Sequence, residues 1–130
     1  MIYNVNKEEL RNNLSKYNNS NVRLVLIDCK VRKVDELMRK LYEELEFPDY
    51  FGYNWNALND CLQDFSWLKE DYVFFIIINK NYLLLDEKNQ KELFFKCLEL
   101  ASNFWDDTND EFGYKDLHPN MVFNVYYVDI

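Results

Sequence analysis

Phe47-Pro48-Asp49-Tyr50-Phe51-Gly52-Tyr53-Asn54-Trp55-Asn56-Ala57-Leu58-Asn59-Asp60-Cys61-Leu62 joins one helical pattern to another. Pro48 removes a backbone donor and fixes φ, and Gly52, one of two glycines in the chain, admits backbone geometries that other residues resist. The stretch is therefore read as ending one helix and starting the next. In the second helix Trp55, Leu58, Leu62 and Phe65 recur at i, i+3, i+7 and i+10, one stripe to be buried. The opposite face carries Asn56, Asn59, Asp60 and Gln63, and the loop before it offers Tyr50 and Tyr53. Periodicity alone describes a solvated helix surface. Aromatic side chains beside a rigid Pro/Gly turn, next to amides and a carboxylate, have instead the composition of a protein recognition site.

Outward from this stretch, strands alternate with helices. Val22 to Asp28 is apolar and β-branched and reads as a first central strand. Lys33 to Glu46 follows as a helix with Val34, Leu37, Met38, Leu41 and Leu45 on one stripe and Asp35 and Glu36 in the first turn, where the helix dipole favours them. Tyr72 to Ile78 is a continuous apolar run, as in a strand buried on both faces. Leu83 to Leu85 reads as a short helical turn. Glu87 to Trp105 reads as the longest helix, with Leu93, Cys97, Leu100, Ala101 and Phe104 inward, and Met121 to Asp129 as the closing strand. Asp106 to Asp116 is an acidic loop with a turn at Gly113. The expected fold is α/β, a small three-stranded parallel sheet packed with helices. Residues 1–21 form an N-terminal strand-helix extension, Ile2 to Val5 and then Lys7 to Tyr17 capped by Asn6, on a domain of residues 22–130.

With 130 residues, 48% of them hydrophobic, the chain buries a core as one domain without staples. The N-terminus lacks the apolar core of a signal peptide, and the longest apolar run is far too short to span a bilayer. A cytoplasmic protein with no membrane contact is expected. Cys29, Cys61 and Cys97 are odd in number, widely spaced and set among apolar residues, which points to three buried thiols and away from disulfides or metal.

The formal charge of -8 is unevenly placed. Between residues 43 and 71, Glu43, Glu44, Glu46, Asp49, Asp60, Asp64, Glu70 and Asp71 face only Lys69, whereas residues 22 to 42 are net basic. Such a patch steers a basic partner, although many acidic proteins use their charge only for solubility. Direct nucleic-acid binding needs a basic footprint and is disfavoured.

Nothing in the chain assembles a catalytic set, a cofactor site or a metal site. The single histidine, His118, precedes Pro119 in a loop, where a surface or structural role is expected. Gly-rich phosphate loops and serine nucleophile elbows are absent from the sequence. Asp106, Asp107, Asp110 and Glu111 lack the alternating ligand positions of a calcium loop. Asp60 has only amides beside it on its face, so no paired carboxylate supports acid–base chemistry.

The stretch from Phe47 to Leu62 resembles the signature of the barstar family of intracellular ribonuclease inhibitors, roughly Phe/Leu-Pro-acidic-Tyr-aromatic-Gly-x-Asn-x-Asp-Ala-Leu-x-Asp-Cys-Leu. The match is long and ungapped, with Pro, Gly, Trp and Cys at fixed offsets, and the element order fits from about Val22 onward. The resemblance implies that loop and helix enter a ribonuclease's active-site groove with Asp60 standing where an RNA phosphate would sit. Tyr50 matches the loop tyrosine, Gly52 and Asn54 match the turn that shapes the loop, and Gln63 and Asp64 lie at the far end of the contact helix. Cys61 coincides with the family's cysteine. Two positions depart from the pattern: Asn56 stands where Asp is usual, and Asn59 where an aromatic residue is frequent. The expected partner surface is thus Tyr50, Gly52, Tyr53, Asn54, Asn56, Asn59, Asp60, Gln63 and Asp64, and the expected partner a basic ribonuclease bound 1:1 by a monomer. A barstar-like module for some other protein is the alternative that the two departures support, and a small acidic enzyme is a third reading with little behind it.

Overall fold

The computed structural model describes residues 1–107, 113, 115 and 118–130. Most of the acidic loop read from Asp106 to Asp116, including Asp110 and Glu111, lies outside the described residues.

The chain runs β1 (Ile2–Val5), α1 (Lys7–Ser15), β2 (Val22–Ile27), α2 (Val34–Glu44), α3 (Trp55–Leu62), β3 (Tyr72–Ile78), two 3-10 turns (Lys80–Tyr82 and Leu85–Gln90), α4 (Lys91–Asp106) and β4 (Val122–Val128). The architecture is the expected α/β parallel sheet with helices. The sheet has four strands in the order β1-β4-β3-β2, however, every pair parallel. The three-strand expectation set the N-terminal strand outside the sheet. Its Ile2 pairs with Val125 and its Val5 with Val128, so it forms one edge. β2, read as central, is the other edge. Among the described residues it pairs only with β3, and its Leu24 and Leu26 are about half exposed.

Period-two alternation assigns the two faces of the sheet. Val25, Ile27, Val73, Phe75, Ile77, Phe123 and Val125 point into the main core, where Leu37, Met38 and Leu41 of α2, Leu58 and Leu62 of α3, and Phe94, Leu98 and Ala101 of α4 meet them. Phe74, Ile76, Tyr126 and Val128 point the other way, against Leu10, Leu14 and Tyr17 of the α1 segment. Asn6 caps α1 through a reciprocal box with Glu9.

Along α4 the buried residues are Phe94, Cys97, Leu98, Ala101, Ser102 and Trp105, while Leu93 is exposed and Leu100 and Phe104 are only partly covered. The inward stripe is therefore turned by about one residue from that expected. Trp105 decides the register, because its indole Nε1 donates to the Leu62 carbonyl at 2.8 Å inside the core.

The thiols also depart from expectation. Cys61 and Cys97 are buried but Cys29, just past the end of β2, is exposed. Burial pushes the Cys61 and Cys97 thiols up to about 11. At pH 8 an alkylating reagent is expected to modify Cys29 quickly and the other two only on unfolding. Rapid loss of all three thiols in the native protein would contradict this placement. His118 has a structural role: it is buried, with Nε2 at 3.1 Å from the Leu68 carbonyl and Nδ1 at 3.6 Å from Asp71.

Candidate functional site

The contact stretch is held by residues on either side of it. α2 ends at Glu44, and two residues on Glu46 takes the left-handed conformation (φ 53°), while the Phe47 N–H donates back to the Tyr42 carbonyl at 3.0 Å. The helix read as running to Glu46 thus ends two residues earlier. Arg23 reinforces this stop, with its guanidinium donating to the Glu44 carbonyl and to the carboxylates of Glu46 and Glu70. Phe47 and Phe51, their rings 4.8 Å apart, anchor the loop in the core. Between them Tyr50 projects with 78% of its surface exposed.

Gly52 acts otherwise than expected. The left-handed residue of the turn is Tyr53 (φ 54°), whose ring lies against Phe51 and Tyr42. What Gly52 supplies is space, since a Cβ there would stand 2.9 Å from the Asn54 amide nitrogen. That amide closes the turn: Asn54 Nδ2 donates to the Gly52 carbonyl, and Asn54 Oδ1 accepts from the Ala57 N–H at 2.8 Å as the N-cap of α3. Gly52→Ala is expected to dislodge this cap and lower stability by about 1 kcal/mol in urea unfolding. An unchanged midpoint would show that the amide gives way freely.

Within α3 the two faces separate as the periodicity requires, but the helix ends at Leu62, so Gln63, Asp64 and Phe65, read as its last turn, lie just past it. Leu58, Cys61, Leu62 and Phe65 are buried, and Trp55 is partly so, its Nε1 donating to Gln90 Oε1 at 3.0 Å. Asn56 and Asp60 are exposed, and Asn59, Gln63 and Asp64 are half-buried. Tyr50, Tyr53, Asn56, Asp60 and Gln63 thus keep surface toward solvent, whereas Gly52 and Asn54 shape the backbone. Asn59 projects least, its Oδ1 being buried with no hydrogen-bond partner among the described residues.

Asp60 is distinguished by what surrounds it. Glu44 pairs with Lys40, Glu46 and Glu70 pair with Arg23, and Asp49 accepts from the Tyr42 hydroxyl. The acidic segment is thus partly neutralised by cations from β2 and α2. Among the described residues no ion pair or hydrogen bond engages the exposed Glu43 of α2, and none engages Asp60. It also lies in the last turn of α3, which holds no basic residue, so its charge faces the negative end of the helix dipole. That opposition costs roughly 0.3–1 kcal/mol at an exposed site, and an incoming cation removes it. Beside Asp60, the half-buried Gln63, Asp64 and Phe104 line a cleft between α3 and α4. The sequence placed Phe104 in the core and gave no sign of this cleft, because α4 lies some forty residues further along the chain.

A family model described as Barstar (barnase inhibitor) matches residues 22–116. The chain belongs to the barstar family. The match takes in β2, α2, α3, β3 and α4, and leaves β1, α1 and β4 outside it. Members of the barstar family are inhibitors and not enzymes. No curated protein matches the chain. Among the described residues no cluster of His, Cys, Asp or Glu has the arrangement to hold a metal ion, and no helix is long and apolar enough to cross a membrane.

Proposed function

We propose that this barstar-family chain is an intracellular inhibitor of a basic ribonuclease, an immunity or antitoxin-like protein that inserts its loop and α3 into the enzyme's active site. It acts in the cytoplasm as a monomer in a 1:1 complex, is not itself an enzyme, and binds neither nucleic acid nor membrane. Residues 1–21 are an extension that completes the sheet of a domain running from 22 to 130. The observation that carries this reading is the Asp60 carboxylate: exposed, without an internal partner among the described residues, and held on a helix whose other face is locked in the core. A ribonuclease site holds cationic and donor groups aimed at a phosphate and its transition state. A preorganised carboxylate competes for those groups without paying the entropy of ordering a flexible loop.

The test is RNA cleavage by barnase and other small basic ribonucleases with and without the purified chain. Stoichiometric loss of cleavage is the expected result, and full activity throughout the panel would overturn the proposal. Steering by the acidic face adds a kinetic signature. Between low and high salt the association rate should fall by about 10-fold or more, with the dissociation rate changing much less. A salt-independent association rate, read by stopped-flow fluorescence, would remove electrostatics from the account.

The second reading, a module for a partner other than a ribonuclease, draws on Asn56 and Asn59. With Asn59 turned inward and Asn56 neutral, the surface lacks one charge and one projecting aromatic anchor. Failure to inhibit any ribonuclease, together with retained binding of another protein through Asp60, would favour it.

A further inference from the structure

The cleft beside Asp60 has a chemistry that the decoy carboxylate does not exhaust. Its walls are the side chains of Asp60, Gln63 and Asp64 at the end of α3 and the ring of Phe104 on α4. Asp64 is fixed there because its Oδ1 accepts from the Ser66 N–H at 3.1 Å, which leaves its second oxygen outside that turn. Both carboxylates act on one neighbourhood, since the charges of Asp64 and Asp60 each help to raise the Cys61 thiol that lies beneath them. Phe104 brings the negative face of an aromatic ring to the same place. The molecule itself already offers this ring a cation: Lys115 Nζ stands 5.1 Å from the centre of the Phe104 ring, tethered by a bond to the Asp107 carbonyl.

We propose that this cleft is a second recognition subsite, taking an arginine side chain of the partner between Asp64 and the Phe104 ring, and that Lys115 holds the ring in the free protein until the arginine displaces it. Arginine fits better than lysine because its planar guanidinium can stack on the ring while its fork reaches a carboxylate and the Gln63 amide oxygen. The identity of the partner as a ribonuclease rests on the reading above. The preference of the cleft for a guanidinium rests on its own walls.

The experiment follows the backbone amides of the isotope-labelled full chain during titration with a short oligo-arginine peptide amide, and compares an oligo-lysine peptide of equal length. Gln63, Asp64 and Phe104 are expected to shift together and saturate, more tightly with arginine. Phe104→Leu, which keeps an apolar side chain at the edge of the core, should weaken binding by about 2- to 30-fold. Lys115→Met should strengthen it. Shifts spread evenly over exposed acids on other elements, such as Glu8 of α1 and Asp35 of α2, or an affinity unchanged by Phe104→Leu, would overturn the subsite. The same variants in the ribonuclease assay separate the two ideas. Inhibition that depends on Asp60 but not on Phe104 defeats the subsite alone, whereas arginine binding at the cleft with no inhibition of any ribonuclease defeats the function alone.

Discussion

Asp60→Ala is expected to weaken inhibition of a ribonuclease that the wild-type chain blocks by about 30-fold to several thousand-fold, the equivalent of roughly 2–5 kcal/mol. That range is the one known for charge pairs in barnase complexes of this same family. Its physical origin is the enzyme's own cations. Once the inhibitor has excluded water from the groove, removing the carboxylate leaves those cations buried and unpaired. Asp35→Ala is the control, because Asp35 is an exposed acid on α2 whose pairing with Arg39 is an i,i+4 surface contact. Its removal should alter inhibition by less than about 2-fold. Inhibition constants from RNA cleavage give the comparison, and far-ultraviolet circular dichroism confirms that each variant is folded. Equal effects of the two substitutions would mean that net charge, and not the position of Asp60, does the blocking.

The largest expected effect on stability belongs to Phe65. Its side chain is fully buried just past α3, with ring centres of Trp105, Trp67 and Phe123 within about 6 Å. Phe65→Ala removes the centre of this cluster and should lower the unfolding free energy by about 3–5 kcal/mol, the transfer loss plus the cavity left behind. Phe65 also has a left-handed backbone (φ 54°) that alanine inherits, so the substitution relieves no strain. Leu24→Ala, on the outer face of β2 with 47% of the residue exposed, should change stability by less than about 1 kcal/mol. Urea unfolding of the two variants reads the difference. Similar midpoints would mean that the aromatic cluster is not the keystone of the α3–α4–sheet junction.

These expectations draw on the sequence and the structure in unequal measure. β3 was legible to the residue, since seven consecutive apolar residues with no Gly or Pro admit little else. The faces of α3 were legible because each is written in local spacing. The register of α4 was not, because apolar residues occupy most of its inner half and several stripes satisfy the same period. Trp105 chooses among them by reaching the Leu62 carbonyl in another helix. The loop turn was misread for a related reason. With only two glycines in the chain, Glu46, Tyr53 and Phe65 take left-handed conformations that sequence rules assign to glycine, and packing over-determines them.

By itself the sequence determined the types of the longer elements, the faces of α3 and the identity of the contact motif, all of which depend on residues within a few turns of one another. The helical turn read at Leu83 to Leu85 and the start of the long helix at Glu87 were displaced to 3-10 turns at Lys80–Tyr82 and Leu85–Gln90. The tertiary structure decided the quantities that depend on residues far apart in the chain. It made the sheet four-stranded by pairing β1 with β4, exposed Cys29, neutralised Glu44, Glu46 and Glu70 with Lys40 and Arg23 while leaving Asp60 without a cation among the described residues, and brought Phe104 to Asp64. Periodicity is a local property that a chain carries in any conformation. Pairing of strands and charges exists only once distant segments have met.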